Sequence, residues 1–96
     1  LEVGMVLSNE PGYYQTGDWG IRIENLIVVT PAKQTGFLEF ETITLCPLDR
    51  RLIDKTLLDA VEIDWIDRYH RVVYEQLHPH LSRIAKSWLE AACRQL

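Results

Sequence analysis

No run of about 18 apolar residues occurs in these 96 residues, which argues against a membrane-spanning helix. Cysteine is scarce. Cys46 and Cys93 stand alone and far apart, too few for a disulfide framework, so reduced, buried, inert thiols in a cytoplasmic protein are the expectation. Positive charge is almost missing from the first half. Residues 1–46 carry Arg22 and Lys33 against six acids (Glu2, Glu10, Asp18, Glu24, Glu39, Glu41), whereas residues 47–96 balance eight acids with eight bases. A half so poor in bases disfavours a nucleic-acid surface and favours a cation as partner. There is no visible secretory leader, internal repeat or low-complexity segment. Nor does the chain begin loosely: Leu1-Glu2-Val3-Gly4-Met5-Val6-Leu7 runs straight into an apolar stretch, as in a piece of a longer polypeptide. The hydrophobic content, 47%, is that of a globular domain with one modest core.

What is present divides at Pro47. Before it, three strands are expected: Met5–Asn9, a long Ile- and Val-rich central strand over Ile21–Thr30, and Phe37–Leu45 with a bulge near Glu41. Gly12, Gly17, Asp18 and Gly20 punctuate the first connection, and Pro31, Lys33 and Gly36 the second, which predicts an antiparallel meander. After Pro47 the period becomes helical, making the chain α+β. Asp59 with Glu62 three residues on fits a capping box. Trp65, Tyr69, Val72, Val73 and Leu77 follow at helical spacing, Pro79 breaks the ladder, and Ile84, Trp88, Ala92 and Leu96 form a second stripe.

Two glutamates stand out, Glu10 in Asn9-Glu10-Pro11-Gly12-Tyr13-Tyr14 and Glu24 in Gly20-Ile21-Arg22-Ile23-Glu24-Asn25. Strand alternation turns Arg22 and Glu24 to one side, and Pro11 holds Glu10 extended. The two carboxylates can then share a face and form half of a site for hard divalent cations. The plainer possibility is that Glu24 pairs with Arg22 and Glu10 merely ends a strand. No histidine or third acid stands nearby on these strands.

Gly4-Met5-Val6-Leu7-Ser8-Asn9-Glu10-Pro11-Gly12-Tyr13-Tyr14 with Gly20-Ile21-Arg22-Ile23-Glu24-Asn25 resembles the closing part of the pita-bread metallopeptidase domain. It is most similar to the Xaa-Pro aminopeptidase family in its longer, cytosolic-type form. Leu38–Pro47 resembles the next strand of that form, and Asp64–His70 and Trp88-Leu89-Glu90 resemble its helical extension. The resemblance implies antiparallel strands of a catalytic domain over residues 1–47 and a helical C-terminal extension over residues 48–96. It implies two divalent metal ions, usually manganese, with Glu10 binding one and Glu24 bridging both, and Tyr14 and Arg22 in the supporting hydrogen-bond network. The implied activity is removal of an N-terminal residue that precedes proline. Two aspartates and a histidine that complete the family's ligand set have no counterpart in these residues. The 96 residues alone are therefore expected to hold no metal stably and to be inactive. A prolidase-like dipeptidase of the same fold, or a non-catalytic interaction or oligomerisation module, are the alternatives.

The remaining features read more plainly. Trp65, Tyr69 and Trp88 form either core or a ligand platform, and by resemblance the extension also packs on the catalytic domain and contributes to a homodimer. Unpaired strand edges likewise favour self-association. Trp19 either anchors its turn or lines a cleft mouth. His78 and His80 are solvated loop histidines or a stray metal site. Proline-containing peptides are the implied substrates, with neither nucleic acid nor membrane as partner.

Overall fold

The computed structural model describes residues 1–96, which form two compact units, Leu1–Thr44 and Leu45–Leu96. The first unit is all β. Strand β1 (Val6–Asn9) pairs antiparallel with β4 (Asn25–Pro31), which pairs antiparallel with β5 (Leu38–Thr42), giving the sheet order β1-β4-β5. Strands β2 (Gly12–Tyr14) and β3 (Gly20–Arg22) form a separate two-stranded ribbon. Val29, in the middle strand, is fully buried, as expected where a β-branched residue has a neighbour on each side.

Two of the strand expectations need correction. The long strand over Ile21–Thr30 is two strands, because the chain leaves the ribbon and enters the sheet at Ile23-Glu24. No bulge occurs at Glu41: Ile27 opposes Thr42, Val28 opposes Glu41 and Pro31 opposes Leu38 in unbroken register. The break in alternation at Glu41 arises because Leu38 and Phe40 face one side while Glu39 and Glu41 face the other, followed by an apolar Ile43.

One register nevertheless spans both pieces of the first hairpin. Val6 opposes Val28 and Asn9 opposes Asn25 in the sheet, and Gly12 opposes Arg22 and Tyr14 opposes Gly20 in the ribbon. The same count sets Glu10 opposite Glu24 and Pro11 opposite Ile23, and the Ile23 N–H donates to the Pro11 carbonyl at 3.1 Å. The glutamates therefore sit at the one irregular rung of a continuous two-stranded arm. Gly17, with φ of 75°, makes the turn at its tip.

The second unit is helical. Asp59 caps α1 (Ala60–Leu77): its Oδ1 accepts from the Val61 and Glu62 N–H groups at 2.8 and 2.9 Å, and Glu62 Oε2 accepts from the Asp59 N–H at 2.9 Å. This is the expected capping box. Pro79 lies in a single 3-10 turn, His78–His80, which separates α1 from α2 (Arg83–Ala92). Tyr69, Val73 and Leu89 make the core, packed by Leu48, Tyr74, Leu77, Leu81 and Cys93. The segment entering this unit is pinned to α1. The Tyr69 hydroxyl donates to the Cys46 carbonyl at 2.9 Å, and the Leu48 N–H donates to His70 Nε2 at 3.0 Å. His70 is fully buried, and burial, followed by the nearby Arg50 charge, pushes its pKa below the ordinary value.

The α1 stripe meets the core at Tyr69, Val73 and Leu77 but not at Trp65 and Val72, whereas the α2 stripe runs one position off it. Ile66, Tyr69, His70 and Val73 are the buried residues of α1, while Trp65 and Val72 are exposed. In α2 the buried residue is Leu89, and Ile84 and Trp88 are exposed. Successive helical residues lie about 100° apart, so one step moves a side chain from core to edge. Cys93 is half-buried and its thiol pKa is raised by burial, but Cys46 is exposed rather than buried.

Candidate metal centre

Residues opposite one another in an antiparallel pair share a face, and alternate residues along each strand join them. The shared register thus assembles Ser8, Glu10, Gly12 and Tyr14 with Gly20, Arg22, Glu24 and Leu26 on one side of the arm. Pro11, Tyr13, Ile21 and Ile23 occupy the other side and line a shallow apolar hollow of about 290 Å³. The arm therefore has one polar and one apolar surface, and both glutamates belong to the polar one.

The polar side is a connected network. Arg22 Nη1 donates to Glu10 Oε2 at 2.9 Å and lies 4.0 Å from Glu24 Oε2. Arg22 Nε donates to the Tyr14 hydroxyl oxygen at 2.9 Å. The Tyr14 hydroxyl, then the Glu10 carboxylate, raise the Arg22 pKa further, so the guanidinium is a permanent positive charge. Ser8 Oγ donates to Glu10 Oε1 at 2.7 Å. Both oxygens of Glu10 are thereby engaged, whereas the 4.0 Å to Glu24 is too long for a hydrogen bond.

Glycine makes the network possible. A Cβ on Gly20 would lie 2.6 Å from Tyr14 Cδ1, and one on Gly12 would lie 2.7 Å from the Tyr14 hydroxyl oxygen. The tyrosine ring lies across the space these two glycines leave empty, and only so does its hydroxyl meet Arg22. Gly12 and Gly20 are strand residues, not the turn punctuation that the sequence suggested. Gly20→Ala is expected to destabilise the protein by about 1–3 kcal/mol by forcing the ring aside. In a Tyr14→Ala background the same substitution is expected to cost almost nothing. Urea denaturation of the four variants measures the difference, and equal costs in both backgrounds would remove the clash as the cause.

The sequence singled out Glu10, Tyr14, Arg22 and Glu24, and all four meet on this face. The expectation of a shared face holds, and so does part of the plainer possibility, since Arg22 stands between the carboxylates. Their side chains are open to solvent here, with 44% of Glu10, 46% of Arg22 and 48% of Glu24 exposed. Sequence reading missed Ser8, although its position two residues before Glu10 in a strand was sufficient to place it on the same face. Trp19 packs on Tyr13 with ring centroids 5.4 Å apart, beside the turn rather than among the carboxylates. His78 and His80 lie in the 3-10 turn of the helical unit, and His70 in its core.

A divalent-cation pair fits these residues as half of a donor set. Carboxylate oxygens are the ligands that hard cations prefer, and Arg22 offsets only one of the two negative charges. No cluster of three or more His, Cys, Asp or Glu side chains forms, so further donors are required.

Comparison with known proteins shows likeness along the whole chain. Residues 1–31 match metallopeptidase family M24, and residues 36–96 match the C-terminal region of peptidase M24. The chain is 42% identical, over 94% of its length, to a probable Xaa-Pro aminopeptidase P of Coprinopsis cinerea. It is 39% identical, again over 94%, to the Xaa-Pro aminopeptidase ApepP of Drosophila melanogaster. It spans only 16% of each of these relatives. Among solved structures, X-prolyl aminopeptidase from Caenorhabditis elegans, described as a cytosolic enzyme with a di-nuclear active site, superposes on the whole chain with a TM-score of 0.83. That match is 36% identical and covers 17% of the longer protein. The fold is thus a fragment of the pita-bread fold, its antiparallel strands followed by two helices. With the match over residues 36–96 covering most of its length, the chain belongs to the family described as the C-terminal region of peptidase M24.

Proposed function

We propose that this chain is the C-terminal part of a dinuclear-metal Xaa-Pro aminopeptidase, an enzyme that removes an N-terminal residue preceding proline. The observation that carries the reading is the convergence of Glu10 and Glu24 on Arg22, in a chain about 40% identical to proteins named Xaa-Pro aminopeptidase. Residues 1–47 are the end of the catalytic domain and residues 48–96 a helical extension. Two aspartates and a histidine from elsewhere in the full-length protein complete the ligand set. The 96 residues alone are inactive for want of them.

Two divalent cations, manganese in this reading, supply Lewis acidity at the scissile carbonyl and activate water near neutral pH. The chain's own residues prepare their place. Glu10, held at both oxygens, is suited to a fixed position on one cation. Glu24, not held by hydrogen bonding to Arg22, would have both oxygens available for the cations. Arg22 lessens the repulsion between the carboxylates, and Tyr14 fixes the plane of its guanidinium through Nε. Substrates are peptides with proline second, and the enzyme is cytosolic and dimeric, with self-association favoured by the exposed apolar residues of the helical unit, among them Trp88 and Ile84.

The test is an assay of the full-length protein, loaded with manganese, on a peptide with proline in second position and on its alanine counterpart. Cleavage of the first peptide alone, abolished by a chelator and restored by the metal, is expected. Equal cleavage of both, or none, would overturn the reading.

A further inference from the structure

We propose that Ser8 is a positioning residue for the Glu10 carboxylate, holding it in the orientation in which it binds a divalent cation. This rests on the reading of Glu10 as a metal ligand. The argument begins with the backbone. Ser8 closes toward the end of β1, and strand alternation puts it on the side of Glu10. Pro11 restricts Glu10 to extended backbone, so the remaining freedom lies in the glutamate side-chain torsions. Two hydrogen bonds remove it. Ser8 Oγ donates to Oε1 at 2.7 Å, and Arg22 Nη1 donates to Oε2 at 2.9 Å.

Each carboxylate oxygen has about two acceptor directions. One on Oε1 is taken by Ser8 and one on Oε2 by Arg22, which leaves one on each oxygen for a cation. Arg22 alone would let the group pivot about its single contact. The hydroxyl provides the second point and so fixes which lone pairs face outward. Ser8 is exposed, and its cross-strand neighbour is Leu26. Threonine carries the same hydroxyl and suits a strand, whereas valine fills the same space without the donor. Partners that orient a metal ligand in this way are generally worth about 10–100-fold in metal affinity.

The experiment is calorimetric titration of manganese into the metal-free full-length protein carrying Ser8→Ala, Ser8→Val, Ser8→Thr or Glu10→Gln. Ser8→Ala and Ser8→Val are expected to weaken one manganese site by about 10–100-fold, with Ser8→Thr close to the unsubstituted protein. The metal-free melting temperature of Ser8→Ala is expected to stay unchanged. Manganese binding by Ser8→Ala equal to that of the unsubstituted protein, while Glu10→Gln loses a site, would overturn the role of Ser8. So would a loss that threonine does not recover, or one accompanied by a lowered metal-free melting temperature. Undiminished binding by Glu10→Gln would instead defeat the reading of Glu10 on which the proposal rests.

Discussion

Glu24→Gln in the full-length protein is expected to lower kcat/KM on a proline-second peptide by about a thousandfold, since metal-ion catalysis contributes several kcal/mol and each 1.36 kcal/mol is tenfold. The substitution keeps size and shape and changes only the donor. A carboxylate can give one anionic oxygen to each of two cations, and a carboxamide has a single neutral acceptor. The effect is expected to be larger than that of any hydrogen-bonding neighbour, because Glu24 would itself be a metal ligand. Its distance to Arg22 Nη1, 4.0 Å, leaves it outside the hydrogen bonds that commit Glu10. Manganese content after dialysis is expected to fall together with activity. Glu39→Gln, in β5, where every residue is exposed, serves as the control and is expected to leave both unchanged. Activity within tenfold of the unsubstituted protein in Glu24→Gln would mean that no cation depends on this residue.

Leu89→Ala is expected to destabilise the helical unit by about 2–5 kcal/mol, the usual cost of emptying a filled core position. That is a large part of the stability of any small domain. Trp88→Ala, one residue away, is expected to cost at most about 0.5 kcal/mol, as for other exposed positions. The contrast follows from burial: Leu89 is 1% exposed and Trp88 63%. Urea denaturation of the 96-residue chain, followed by circular dichroism at helical wavelengths, measures both. A cost for Trp88→Ala equal to that of Leu89→Ala would show that the tryptophan face is covered in solution, and would restore the stripe that helical spacing alone suggests.

Much of the site was legible before any coordinates. Glu10, Tyr14, Arg22 and Glu24 all lie on the polar face because strand alternation is strict and the two motifs flank a short turn. What was not legible was the network among them. Nothing in the spacing of Gly12 and Gly20 distinguishes a glycine that makes a turn from one that makes room for a ring. That difference appears only when Tyr14 is seen opposite Gly20. Ser8 escaped notice because a lone serine in a strand is ordinary until its carboxylate partner is located.

By itself the sequence determined the local events: the capping box at Asp59 and Glu62, the break at Pro79, the strand character of residues on either side of the glutamates, and the shared face of those glutamates. The first three depend on neighbours within a few residues, where propensity and capping act, and the shared face on strand alternation across one short connection. Tertiary structure alone decided that the chain changes sheets at Ile23-Glu24, that Leu89 rather than Trp88 enters the core, and that Arg22 stands between the carboxylates. These are matters of what each face meets. Periodicity says which residues share a face, but only packing against other parts of the chain says which face is covered.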